Sequence, residues 1–134
     1  MRRSQQRRDA VFALYQHELT GRPLEQTLQH DARPLTRALT EAVLDHRSEL
    51  DELIERHAHG WTLERIAPVE RAILRVALLE MIEPAAVPGD RPVPPEVAID
   101  EAVETAKTFC GADAPKFVNG VLGAALEELR GAAH

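Results

Sequence analysis

Residues Pro95–Leu122, PEVAIDEAVETAKTFCGADAPKFVNGVL, set the pattern for the rest of the chain. Pro94 and Pro95 stand where a helix can begin, because proline at the first helical position gives up no hydrogen bond that the helix needs. Ile99, Ala102, Val103 and Ala106 recur at helical spacing and make one apolar face, and Asp100, Glu101, Glu104 and Lys107 fall off it. The pattern stops near Cys110 and Gly111, glycine being the usual residue just past a helix end. Asp113 is placed to cap a second helix, and Pro115 fits its first turn. In that helix Val118, Val121, Leu122, Ala125 and Leu129 form the inward stripe. The spacing predicts helix, tight turn, helix.

Three residues of the second helix ask for more than packing. Phe117 lies roughly 100° from the centre of the stripe at 3.6 residues per turn. Gly120 and Gly123 lie on the far side, and a glycine inside a helix costs about 1 kcal/mol relative to alanine. Something must approach the backbone closely there. Two readings remain open: another helix of the same domain, or a partner surface with Phe117 at its edge.

Working outward, Gln5–Leu19 reads as a first helix with Val11, Leu14, Tyr15 and Leu19 inward and Phe12 beside them. Arg2, Arg3, Arg7 and Arg8 fill its first turn and the tail before it, so they are expected to project past the packed end, outside the core. Positive charge at a helix start opposes the helix dipole by on the order of a few tenths of a kcal/mol, which an anionic partner would offset. Gly21 and Pro23 break the helix, and Leu24–Gln29 makes a further turn or two with Leu24 and Leu28 inward. Pro34 or Leu35 opens a longer helix to about His46 on the face Leu35, Leu39, Ala42 and Val43. Leu50, Leu53, Ile54 and His57 resume an apolar face after a break near Arg47–Ser48, with Ser48 as a helix start. Glu49, Asp51, Glu52 and Glu55 read as a solvated face.

Gly60 ends that helix. Trp61, Leu63 and Ile66 are expected as packed turn residues, with Thr62 capping a short segment. Val69–Ile82 is apolar nearly all round, the mark of a helix buried on most sides, and is expected to be central to the C-terminal half. Its exceptions are Glu70, Arg71, Arg75 and Glu80; Arg71 and Arg75, one turn apart, disfavour each other unless acids lie near. Glu83–Val93 reads as a loop broken by Pro84, Pro88, Gly89, Asp90 and Pro92. No segment shows strand alternation or an internal repeat. The fold class is therefore all-α, with about seven helices. One domain is expected over residues 1–134, made of an N-terminal helical subdomain to about 60 and a C-terminal one from about 61.

The 134 residues suffice for one core, built from aliphatic side chains because aromatics make up 4%. No apolar run approaches the ~20 residues of a membrane span, and the basic start lacks the long apolar run of a signal peptide. A single cysteine, Cys110, excludes an intrachain disulfide and fits a reducing compartment, so a cytoplasmic location is expected. The net charge of −6 hides an asymmetry: the first eight residues carry +4, and the rest carry −10. An acidic body repels phosphate at long range, but a concentrated arginine tip binds it locally.

No catalytic constellation is present. Six histidines are scattered; His57 and His59 could supply two metal ligands but no third follows, and they read as solvated or capping residues. Cys110 beside a glycine reads as a small packing residue, and Asp100, Glu101 and Glu104 as a charged helix face. No enzyme, cofactor or metal is expected. What remains is binding. Arginines position a phosphate backbone, and single-stranded RNA further asks for aromatic faces and polar groups at base edges. Phe117 is the better aromatic and Tyr15 the alternative, with Lys116 for a phosphate and Asp113 or Asn119 for a hydrogen bond.

These same residues carry a resemblance. VAIDEAVETAKTF followed by KFVNGVL is similar to the C-terminal signature of the NusB family, bacterial transcription antitermination factors. PVERAILRVALLEM (Pro68–Met81) resembles that family's preceding helix, and the arginine-rich start leading into Ala13-Leu14-Tyr15-Gln16 resembles its N-terminus. The chain departs at Asp100, where the family usually has asparagine, and at Leu79, where tyrosine is common. The resemblance implies two small helical bundles side by side, and a partnership with the small-subunit ribosomal protein NusE. It also implies binding to boxA, a short single-stranded RNA element in ribosomal RNA leaders, within a complex containing other Nus factors and RNA polymerase. By position it assigns Arg2, Arg3, Arg7, Arg8, Asp113, Lys116 and Phe117 to RNA, and Tyr15 and Glu70 to the region of RNA and partner protein. Self-association as a homodimer is left open. Two alternatives stand: the RNA-binding domain of a ribosomal RNA methyltransferase, and a protein-binding helical adaptor. A chain running from Met1 to His134 with no cofactor-binding sheet is expected to disfavour the first.

Overall fold

The computed structural model describes residues 2–89 and 92–132. Met1, Asp90 of the expected loop, and His134 lie outside the described residues, as do Arg91 and Ala133. Among the described residues the chain is all-helical: α1 (Arg3–Thr20), α2 (Leu24–Thr27), α3 (Pro34–Asp45), α4 (Arg47–His57), α5 (Pro68–Ile82), α6 (Pro95–Phe109) and α7 (Ala114–Ala132). Single 3-10 turns lie at Leu63–Arg65 and Pro84–Ala86.

The apolar girth of α5 places it at the centre. It packs against α1, α3, α4, α6 and α7, and Ala72 through Glu80 are buried without a break. One hydrophobic cluster runs from Ala10 on α1 to Leu126 on α7. The expected inward residues of α3, α4 and α7 are in it, except Leu129 and His57, which are only half-buried. The helix–turn–helix of α6 and α7 is as read, with the helices against each other. The turn differs in its cause: Cys110 caps α6 in an extended conformation (φ −122°, ψ 175°), and Gly111 is not among the left-handed glycines. Gly21 does end α1 in the left-handed region (φ 70°), its N–H donating to the His17 carbonyl.

Several expectations are corrected. α1 starts at Arg3, and its inward stripe is Arg7, Ala10, Val11 and Leu14. Leu19 is 61% exposed, because it lies roughly 130° round the helix from that stripe. Arg7 does not project past the packed end. It is buried, and its Nε donates to Glu80 Oε1 at 2.7 Å. Replacing it therefore touches the fold, contrary to the expectation for a free tip. α4 starts at Arg47 after a break at His46, with no side-chain cap, so Ser48 is not its start. Asp51 leaves the solvated acidic face and accepts from Arg75 Nε at 2.8 Å. Thr62 makes no cap hydrogen bond, and Trp61 is 51% exposed rather than packed.

The charges on α5 are resolved by α1. Glu18 accepts from Arg71 at 2.7 Å and from Arg75 at 2.6 Å, so the acid that the arginine pair needs comes from 53 residues upstream of Arg71. Burial works against the charge on Arg75, but hydrogen bonds and attraction from Asp51 and Glu18 outweigh it and hold its pKa above the ordinary value. Because Arg7 meets Glu80 and Glu18 meets Arg71 and Arg75, α1 and α5 run antiparallel. Thr36 Oγ1 adds a bond from α3 to the Gln6 carbonyl at 2.9 Å. Of the two departures, Leu79 is wholly buried and changes the core, while Asp100 is exposed.

Candidate nucleic-acid interface

The start of α7 faces the start of α5 across the turn that follows α4. Between them lies a cleft of about 470 Å³ lined by Trp61, Arg65, Ile66, Glu70, Asp113, Lys116 and Phe117. Each element delivers its share for a local reason. α7 carries Asp113 just before its first turn and Lys116 and Phe117 within it, off the inward stripe. Pro68 starts α5 and puts Glu70 on the first turn, outside the run that is buried. Ile66 is 2% exposed and joins the core, forming an apolar floor. Phe117 is half-buried, and its ring meets that of Trp61 edge-on at 6.1 Å and 64°. Arg65 and Lys116 supply cations at the rim, and Glu70 and Asp113 supply acids. Burial, and then the charge of Glu70, push the neighbouring Cys110 thiol up from its ordinary value.

A second groove of about 250 Å³ lies beyond the ring pair, lined by His57, His59, Trp61, Lys116, Phe117 and Gly120 among others. A Cβ on Gly120 or Gly123 would meet nothing within 4 Å. The reading in which another helix of this chain approaches these glycines is therefore overturned: their side of α7 is open. His57 is engaged with Glu128 at 3.2 Å, and among the described residues no three His, Cys, Asp or Glu side chains stand together as metal ligands.

The arginines occupy the beginning of α1. Arg2 and Arg3 are exposed, Arg3 donating to the Pro88 carbonyl at 2.9 Å. Arg8 is half-buried with its guanidinium carbon 6.0 Å from the centre of the Phe109 ring. Phe109 is 46% exposed and packs edge-on against Phe12 at 4.8 Å. Thus Glu70, Asp113, Lys116 and Phe117 are brought together, and Arg2, Arg3 and Arg8 stand at the start of α1. Arg7 is withdrawn into the core. Tyr15 is half-buried against the core and does not line the cleft. Sequence reasoning missed Trp61, Arg65 and Phe109. Trp61 had a signal: it follows Gly60, which ends the preceding helix, so no periodic apolar face claims it.

An all-helical scaffold thus carries an open cleft with an aromatic pair and charges of both signs at its rim. The NusB family profile matches residues 4–127, and the chain belongs to that family. The transcription antitermination protein NusB of Rubrobacter xylanophilus is 37% identical over 137 residues, covering 98% of this chain and 94% of the relative. That of Symbiobacterium thermophilum is 43% identical over 106 residues, covering 79% of this chain and 65% of the relative, just under two thirds of its length. Among solved structures, T. maritima NusB superposes with a TM-score of 0.81 at 31% identity, covering 96% of this chain and 92% of that one. A chain from the structure of the antitermination factors NusB and NusE in complex with dsRNA superposes at 0.77 with 26% identity, covering 96% and 99%. The family is one of antitermination factors, not enzymes. Among the described residues no helix is long and apolar enough to cross a membrane.

Proposed function

We propose that this chain is an RNA-binding antitermination factor that takes a boxA-type single-stranded element together with a NusE-type ribosomal protein. In that reading it promotes processive transcription of ribosomal RNA operons, reaching RNA polymerase and other Nus factors through the joint complex. The observation that carries it is the convergence of Glu70 with Asp113, Lys116 and Phe117 in one open cleft. An aromatic face, a cation and two acceptors at its rim are what an unstacked base asks for. Arg2, Arg3 and Arg8 supply backbone attraction at the head of α1, and Arg7 holds that head in place instead of touching RNA. Tyr15 and Glu70 are assigned to the region where the RNA and the ribosomal protein adjoin. The relative crystallised with NusE and dsRNA supports NusE and RNA as the kinds of partner.

The test is a titration of boxA-type RNA with and without the ribosomal protein, on wild type and on a variant with Arg2, Arg3 and Arg8 changed to glutamate. The variant should bind more weakly and with a shallower salt dependence, because each lost phosphate contact releases fewer counterions. Unaltered affinity at low salt would remove the arginine end from the RNA site.

A further inference from the structure

We propose that Trp61 is a second seat for RNA, stacking a nucleobase in the cleft it shares with Phe117; this rests on the reading of that cleft as an RNA site. Trp61 does not line an interior. It is half-exposed on a turn, it is the chain's only tryptophan, and it borders both the larger cleft and the adjoining groove. A large indole left in water is unfavourable, since burying such a ring is worth several times the burial of a methyl group. Its one ring partner, Phe117, meets it edge-on and so leaves indole surface uncovered.

The rim chemistry selects the occupant. Glu70 and Asp113 repel phosphate but accept from the N–H groups of a base edge, while Arg65 and Lys116 donate to its carbonyl and ring-nitrogen acceptors and reach the flanking phosphates. A base carries donors and acceptors side by side, as this rim does. Beyond the two rings the groove has an apolar floor of Ala58, Val121 and Ala124 beside His57, His59 and Gly120; it is the charged rim of the cleft, with donors and acceptors side by side, that favours a base over a protein helix. That groove gives the strand room to continue past the rings. Trp61 and Phe117 thus present two planes inclined at 64°, which suits a strand whose successive bases are splayed and not stacked on each other.

Because Trp61 is the only tryptophan, its emission reports on this site alone. The experiment titrates the full chain with a labelled single-stranded boxA-type RNA, with and without the ribosomal protein, following anisotropy of the label and indole emission together. Binding by anisotropy is expected to be accompanied by quenching of Trp61 with the same midpoint. Trp61→Ala should weaken the affinity about 5- to 150-fold, the range for one base–aromatic stack, and Trp61→Phe should lose less. Circular dichroism and urea unfolding should be close to wild type for both variants, given the exposure of the residue. Normal RNA binding without quenching, or Trp61→Ala affinity within about twofold of wild type, overturns the seat and leaves the cleft's role standing on Phe117, Asp113 and Lys116. A change in emission on adding the ribosomal protein alone, with no further change when RNA then binds, makes Trp61 a protein contact and also overturns it. No RNA binding under either condition overturns the RNA reading itself and this inference with it.

Discussion

Changing Arg7 to alanine should destabilise the protein by about 3–5 kcal/mol, the usual cost of stripping one partner from a buried ion pair. The geometry sets the size. The Arg7 side chain is 9% exposed and that of Glu80 1%, with Nε and Oε1 at 2.7 Å and a second bond from Nη2 to Oε2 at 3.3 Å. Without the guanidinium, the Glu80 carboxylate is left among Val11, Ile73, Val76 and Ala102 with no cation opposite it. The paired variant Arg7→Met with Glu80→Leu removes both charges, and should recover to near wild type or exceed it. Urea unfolding followed by circular dichroism gives each free energy by linear extrapolation. The paired variant should also bind RNA like wild type, since it removes the arginine without disturbing the fold. A loss below about 1 kcal/mol for Arg7→Ala would refute the buried-pair account. A large loss of RNA affinity in a stable paired variant would return Arg7 to the contact surface.

Phe117→Ala should cost about 1–3 kcal/mol of RNA affinity and less in stability, because the ring is half-buried at the margin of the core; denaturation and titration on the same variant decide, and a stability loss with affinity intact would make it a core residue. Ile73→Ala should cost roughly 2–5 kcal/mol in urea unfolding, since the residue is 1% exposed at the centre of α5. Arg75→Ala should be destabilising by roughly 1–3 kcal/mol in urea unfolding, because Asp51 and Glu18 lose their shared partner while Glu18 keeps Arg71 and Asp51 keeps the longer contact to Arg47. For Cys110, burial and then the Glu70 charge raise the thiol pKa, so the reactive thiolate forms only at higher pH. Glu70→Gln should therefore shift the pH profile of its alkylation by iodoacetamide to lower pH, and an unmoved profile would remove Glu70 as a cause.

How much of this was legible in the sequence depended on whether the partner was local. The girth of α5 and the stripe of α7 are periodic signals within one segment, and both helices formed as read. Phe117 at the stripe's margin follows from helix geometry alone, and its half-burial agrees. The partners of Arg75 and Glu80 were not legible, because a charge in an apolar helix looks alike whether it reaches water or meets a partner. Their partners, Glu18 and Arg7, sit 57 and 73 residues away. Trp61 was misplaced because an aromatic in a turn carries no periodicity to say which way it faces. The cleft itself was half legible: Asp113, Lys116 and Phe117 are neighbours in sequence, but only the packing of α5 against α7 brings Glu70 and Arg65 to them.

The antiparallel seam of α1 on α5 has opposite polarity at its two ends. Arg7 and Glu18 stand about 16 Å apart along α1 at 1.5 Å per residue, one needing an acid opposite and the other needing arginines. A slide of one turn in either direction would strip Arg7 from Glu80 and Glu18 from Arg71 and Arg75 together, leaving several charges bare in an apolar surrounding. The two helices thus have a single permitted alignment, and α1 acts as a ruler fixed to the core. Its graduations are Arg2, Arg3 and Arg8 at one end and Tyr15 towards the other, with Glu70 at the start of α5 alongside. For the ligands proposed above, that single alignment sets the distance between the arginine end and Tyr15.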